Sequence, residues 1–366
     1  MERINTYKKW LEKEGLPVIR DCHSIPDLLE VPLQPWPRTA GSGVHINLIG
    51  AEGETHSYLC EIPPGGSLLQ ERHVYEEIIY VLSGYGAATV WVDGGTKQSF
   101  EWQEGSLFSP PLNSWHQLFN GQSDKPARFF GVTRAPIFMN LFHDLDFIFH
   151  NDFLFKNRYH WEEGFFSHGR LVGEDEKDEM MDNPKLWRSS FIPDVRSFGL
   201  VDDPARGGLS NNARYEFADG MMSGRITEEH GGTYMKAHYH NGGSHLICLT
   251  GQGYTLMWPS EGGPLAKGVE RVKIDWKKNT VFAVVDKWFH QHFSTGAEPG
   301  RIMSFSAERS VKYEGIRPIQ PRAKSIKRGG TQIEYEDEDP AIKRLFKEEL
   351  AKTGLPWQMS KFFPGE

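Results

Sequence analysis

Apolar and polar residues alternate over short stretches separated by Gly, Pro and Asn. This is the pattern of half-buried β-strands. One series runs through Val44–Ile49, Ser57–Ile62, Ile78–Leu82, Ala87–Val92, Leu107–Ser109 and Arg128–Val132. A second runs through Gly232–His240, Leu246–Thr250, Tyr254–Trp258, Arg271–Ile274, Thr280–Val285 and Arg301–Ser306. Several short strands at this spacing predict barrels or sandwiches. Two stretches read as helices. Ile4–Glu14 places Tyr7, Trp10 and Leu11 on one side and stops at Gly15. Pro340–Thr353 follows Asp339 as N-cap and precedes Gly354. Between the series the chain is aromatic and irregular, with a charge run over Glu174–Asp182, and is expected to fold over the barrels. The acidic run Glu334–Asp339 reads as a solvated linker.

The two series are copies of one unit. At a constant offset, Gly65 aligns with Gly232, His73 with His240, Leu82 with Leu249, Gly84 with Gly251, Gly86 with Gly253 and Trp91 with Trp258. After a short shift, Phe108 aligns with Phe282, His116 with His290, Gln117 with Gln291 and Phe119 with Phe293. Agreement at so many Gly, Trp and His positions indicates a duplicated unit.

The chemistry concentrates in the second copy. His238 and His240 are two residues apart, so in an extended segment both imidazoles project to one face. Two imidazoles on one face are two legs of a metal site, and His290 supplies a third if the fold returns its strand. His245 is a further candidate ligand, provided that Asn241-Gly242-Gly243 breaks the alternation; strict alternation instead puts Ser244 on the ligand face. Tyr234 and Lys236 share the parity of His238, and a lysine there would hold a carboxylate as a point charge. Gln291 and His292 are expected around the ligands or the substrate. Tyr254, Met257 and Trp258 read as core.

The succession H-x-H, G-x-G and a later His before a strand resembles the two motifs of the cupin superfamily, a small antiparallel jelly roll with a metal inside. With the repeat, the chain resembles a bicupin: all-β, two jelly-roll barrels in tandem with short flanking helices. The expected divisions are an N-terminal arm over 1–43, a first barrel over 44–135, a connector over 136–190, a second barrel over 191–311 and a tail over 312–366. The resemblance implies one divalent metal per chain on His238, His240 and His290. In the first barrel, His73, Glu77 and His116 take three of the four ligand positions of the pattern, with Glu71 in place of the remaining His. Either that set holds a second metal, or Glu71, Arg72, Glu76 and Glu77 form an ion-paired rim. An all-imidazole set resembles the gentisate, salicylate and β-diketone cleaving dioxygenases. It implies Fe(II) and O2 with a small aromatic or enolisable acid or diketone. A Mn, Ni or Zn isomerase, lyase, hydrolase or decarboxylase, and a non-catalytic binding protein, are the alternatives.

Composition narrows the classes. With 41 Lys and Arg against 49 Asp and Glu, the formal net charge is −8, so a nucleic-acid partner is not expected. The 3 cysteines, Cys22, Cys60 and Cys248, are too few and too scattered for a disulfide framework. No apolar run reaches membrane-spanning length and the N-terminus lacks an apolar signal core, so a cytoplasmic setting is expected. By analogy with the superfamily the chain is expected to be a homo-oligomer.

Overall fold

The computed structural model describes residues 4–51, 53–159, 161–167, 169–171, 186–217, 220–240, 243–261, 269–306 and 324–364. The charge run Glu174–Asp182 and the Asn241-Gly242 step fall outside these.

Each half is a jelly roll of one large and one three-stranded sheet. In the first half the large sheet orders Val18–Ile19, Gly41–Ile46, His56–Ile62, Ala127–Thr133, Glu77–Ser83 and Leu107–Phe108, and the small one is Trp115–Asn120, Tyr85–Trp91 and Gln98–Gln103. In the second half the large sheet carries Ser210–Phe217, Ser223–Glu229, Gly300–Ser306, Ser244–Thr250 and Val281–Val284 in that order. Its small sheet is Val272–Lys277, Gln252–Pro259 and Trp288–Ser294.

The halves exchange edge strands. Phe191–Ile192, at the expected start of the second barrel, pairs with Leu107–Phe108 of the first barrel. Ser24–Ile25 of the N-terminal arm pairs with Val281–Val284 of the second barrel. Each exchange covers a sheet edge that would otherwise present unpaired backbone groups. The large sheets also pack against each other. Ile46, Leu59 and Val132 from one meet Ile226, Ile247 and Met303 from the other in a single buried cluster, and the Phe130 and Phe305 rings lie 5.8 Å apart.

The duplicated G-x-G has a physical reason in each copy. Gly84 and Gly251 turn with φ of +91° and +74°, values that favour glycine. At the second glycine a strand crosses closely: a Cβ would lie 1.9 Å from the Phe119 carbonyl oxygen at Gly86 and 2.0 Å from that of Phe293 at Gly253.

The helices form at Thr6–Glu14 and Pro340–Thr353, capped by the Asn5 and Asp339 side chains and ended by Gly15 and Gly354 at positive φ. The stretch read as irregular contains two further helices, Ala135–Phe142 and Leu145–His150. The second is started by the Asp144 side chain accepting from the Phe147 N–H. They pack with the first helix through Tyr7, Trp10, Met139 and Ile148. Gly232–His240 is not a regular strand. It is held by isolated bridges, Tyr234 to Phe293 and His238 to His290 on one side and His238 to Gln332 on the other.

The acidic run before the last helix is docked, not solvated. Glu334 pairs with Lys236 at 2.5 Å, and Glu338 accepts from the Tyr234 hydroxyl at 2.9 Å and the Gln291 amide at 2.7 Å. Burial pushes the Glu338 carboxyl up to about 7 against the pull of those two bonds.

Candidate metal centres

In the first barrel, His73 lies in the turn before Glu77–Ser83, Glu77 opens that strand and His116 lies on Trp115–Asn120. Backbone bonds between Glu71 and His116, 3.0 and 2.9 Å, bring the turn onto the His116 strand. The Nδ1 atoms of His73 and His116 face the carbonyls of Tyr75 at 2.8 Å and Ser114 at 3.3 Å. Donation there leaves both Nε2 lone pairs for the centre. The two Nε2 atoms lie 3.4 and 3.8 Å from Glu77 Oε2. Among the described residues, His73, Glu77 and His116 are the one group of three whose donor atoms all lie within 4.8 Å of one another.

Glu77 has two different oxygens. Oε1 accepts the Tyr58 hydroxyl at 2.6 Å. Oε2 is buried without a hydrogen-bond partner. Burial works to raise its pKa, but the neighbouring His73 and His116 imidazoles and the Tyr58 hydroxyl outweigh it and hold the carboxyl below its ordinary range. A buried anionic oxygen facing two imidazole lone pairs is a donor set that suits a divalent cation. Glu71 stands at the edge, with Oε1 3.8 Å from His116 Nε2. Its other oxygen is held by Arg38, which also bonds Glu14 at 3.1 Å.

In the second barrel, His238 and His290 face each other across a pair of backbone bonds of 3.1 and 2.9 Å. Their Nδ1 atoms point at the carbonyls of Lys236 at 3.3 Å and Trp288 at 3.2 Å, the same orientation as in the first barrel. The His290 ring is centred 4.3 Å from His238 and 4.8 Å from His240, and the latter two are 6.2 Å apart. All three imidazoles line one cavity of about 80 Å³ together with Arg206, Arg225 and Ser244. Burial, then the Arg206 charge and the neighbouring imidazoles, hold His238 well below its ordinary pKa. Arg206 donates to Gln332 at 3.2 Å, and Arg225 lies 3.5 Å from Asp203.

Several expected site residues turn elsewhere. His245 is not with the imidazole cluster. The strand keeps its alternation from Ser244, so His245 points into the interface between barrels, with Ser57 Oγ 3.0 Å from Nε2 and Thr55 Oγ1 3.3 Å from Nδ1. Tyr234, Lys236 and Gln291 face the C-terminal tail, held by Glu338 and Glu334. None of the three lines the cavity. The bridges to the tail impose this orientation, which parity alone did not reveal. His292 stays beside the cluster, its ring 5.8 Å from His290 and its Nδ1 2.7 Å from the Thr255 hydroxyl. Burial, then Arg206, lower it to about 4. Tyr254, Met257 and Trp258 are buried core. Sequence reasoning missed Arg206, Arg225 and Arg38. The strand Ser223–Glu229 that carries Arg225 was not read from the sequence either.

Residues 58–133 match the family profile described as the cupin domain. Comparison with the curated proteins finds no match. Among solved structures, a point variant of oxalate decarboxylase from Bacillus subtilis is similar at 12% identity with a TM-score of 0.50, over 78% of this chain and 77% of that one. A two-residue deletion mutant of the same enzyme gives 13% identity and a TM-score of 0.49 over 78% and 77%. At such identity the likeness is one of fold. No helix among the described residues is long and apolar enough to cross a membrane.

Proposed function

We propose that this chain, a two-barrel protein of the cupin fold, is a metal-dependent enzyme that cleaves a C–C bond of a short-chain carboxylic acid in the second barrel, by a lyase or decarboxylase reaction. One observation carries the reading: three imidazoles and two guanidiniums line a single small cavity. Its volume, about 80 Å³, is near half of the ~150 Å³ that accommodates a benzene ring in a protein interior. A substrate of a few heavy atoms suits it, and an aromatic ring does not. Arg206 and Arg225 are the carboxylate receptors, since a guanidinium matches a carboxylate in geometry and charge. Gln332 and Asp203 fix them in place, so their orientation is prepared before substrate arrives. His238, held in the neutral form, and His290 offer Nε2 to a cation, because Nδ1 faces a backbone carbonyl in each. Bound there, a divalent first-row metal would supply Lewis-acid polarisation of the substrate carboxylate. The residues around it exclude bulk water and keep the opposite charges close in a medium of low dielectric.

A second reading, an Fe(II) dioxygenase, is favoured by the absence of a carboxylate from the imidazole cluster, which leaves more of the metal charge and coordination open. Oxygen consumption separates the two. Protein loaded in turn with manganese, iron, nickel and zinc would be incubated with carboxylic acids of two to six carbons while CO2 and O2 are followed. Carbon dioxide release without stoichiometric oxygen uptake, abolished by Arg206→Met, is expected. Stoichiometric oxygen uptake would transfer the assignment to the dioxygenase. Turnover that survives both Arg206→Met and His290→Ala would remove the second barrel from the reaction.

A further inference from the structure

In the first barrel one residue stands in the register of a ligand while its charge is engaged elsewhere. Glu71 makes the same backbone bridge to His116 that His238 makes to His290 in the second barrel, and the repeat aligns the two positions. From that place His238 faces the imidazole cluster, its ring 4.3 Å from His290. Glu71 is divided. Its Oε1 lies 3.8 Å from His116 Nε2, and its Oε2 is paired with the Arg38 guanidinium. Arg72, next in the chain, does not compete for it, because it bonds Asp93 at 2.9 Å.

Arg38 is itself fixed from the far side. Its Nε bonds Glu14 of the N-terminal helix at 3.1 Å. The same Glu14 oxygen accepts the Trp36 Nε1–H at 2.6 Å, and the guanidinium lies 4.8 Å from the Trp36 ring centre. Arg38 and Glu71 both line a cavity of about 540 Å³, which is walled also by Trp10 of that helix and by Phe149 of the helix Leu145–His150. The two carboxylates of the barrel therefore differ in freedom. The Glu77 side chain is 4% exposed and bonded by Tyr58. The Glu71 side chain is 23% exposed at the cavity wall, where it has room to turn.

Affinity for a hard divalent cation follows the number of ligand charges and the rigidity with which they are held. A carboxylate paired with a guanidinium is withheld from such a cation. From this geometry we infer that Arg38 sets the divalent-cation affinity of the first barrel by holding Glu71 back from the centre formed by His73, Glu77 and His116. Loss of the Arg38 contact would let Glu71 turn its carboxylate inward and add a second anionic group to that set. The backbone is already in place for this, so rotation of the side chain suffices.

The test is Mn2+ binding to the metal-free full-length protein, followed by the electron paramagnetic resonance signal of the free ion. Every protein carries His290→Ala, so that the first barrel is read alone. Arg38→Met and Arg38→Gln, checked by circular dichroism, are each expected to tighten binding about tenfold or more. Arg38→Lys keeps the charge and should tighten it less. In a Glu71→Gln background, Arg38→Met should bring no gain beyond about twofold, since the two residues act as a unit. An equal gain with and without Glu71 would mean that Arg38 acts through its field alone, and overturns the inference. So does unchanged affinity in a folded Arg38→Met or Arg38→Gln variant. His116→Ala should abolish the binding; its persistence would place the ion outside this centre and overturns the inference as well. None of these measurements involves turnover in the second barrel, so the two readings fail separately.

Discussion

At the scale of single residues, the same histidine chemistry serves opposite ends. His238 and His290 turn Nδ1 to carbonyls and keep Nε2 for the cavity, whereas both nitrogens of His245 are within reach of hydroxyls across the barrel interface. His238→Ala and His290→Ala are each expected to lower the metal bound per chain, read by metal analysis, with the circular dichroism unchanged. His245→Ala should leave metal content alone. It takes the imidazole away from the Ser57 and Thr55 hydroxyls, which keep only the Ile46 and Ala51 carbonyls, at a cost of about 1 kcal/mol read by urea unfolding. Burial lowers His245 from 6.5 to about 4, so the folded state disfavours its proton. The stability that this neutral imidazole contributes is fully present above pH 6.5 and is lost as pH falls toward 4, by up to about 1.4 kcal/mol per pH unit. His245→Gln should flatten the fall in stability between pH 6.5 and 4. An unchanged slope would show that other groups carry it. The alternation that decides the side of His245 is set by the unbroken strand Ser244–Thr250. No residue in the local sequence announces that strand's first position, because two glycines precede it and could have shifted the phase.

At the scale of elements, the repeat extends to a pair of clasps that no motif betrays. Arg128 bonds Glu61 and donates to the carbonyls of Leu28, Leu29 and Val31 at 3.1, 2.8 and 3.1 Å. Arg301 bonds Glu228 and donates to the carbonyls of Val195 and Phe198 at 3.1 and 3.2 Å. Each clasp ties down a segment next to an exchanged edge strand. Arg128→Met and Arg301→Met should each destabilise the chain by about 1–3 kcal/mol, because several carbonyls lose a charged donor; urea titration reads the loss. Proteolysis should then begin near residues 24–31 in the first variant and 191–198 in the second. The capped helices were legible because caps are local. The helices Ala135–Phe142 and Leu145–His150 were not, since Leu141, Phe142 and Phe147 are exposed and apolar residues on both sides leave no clean stripe.

At the scale of the whole molecule, the two barrels share one core. Phe130 and Phe305 are fully buried at the sheet-to-sheet contact, so Phe130→Ala should cost about 3–5 kcal/mol. The exchanged strands and the shared cluster predict a single cooperative unfolding transition for both barrels. Two separate transitions by calorimetry would show that the interface contributes little. The C-terminal tail belongs to this scale too. It fastens the His238 segment through Gln332 and reaches Glu338 to the Gln291 strand, so its removal should disturb the second cavity before it disturbs the first.

The sequence by itself determined the features that depend on neighbours along the chain. These are the strand series, the helix caps, the duplication, the G-x-G turns, and the pairing of His238 with His240 by two-residue spacing. It also marked His73, Glu77 and His116, because the repeat maps His73 and His116 onto counterparts in the second half. Tertiary structure alone decided what depends on distant segments meeting. It brought Arg206 and Arg225 to the imidazoles, sent His245 into the interface, turned Lys236 and Gln291 toward the tail, and gave the first barrel a roofed cavity. Spacing fixes the face on which a side chain starts. Which partner occupies that face is set by packing between segments far apart in sequence, and no local pattern encodes it.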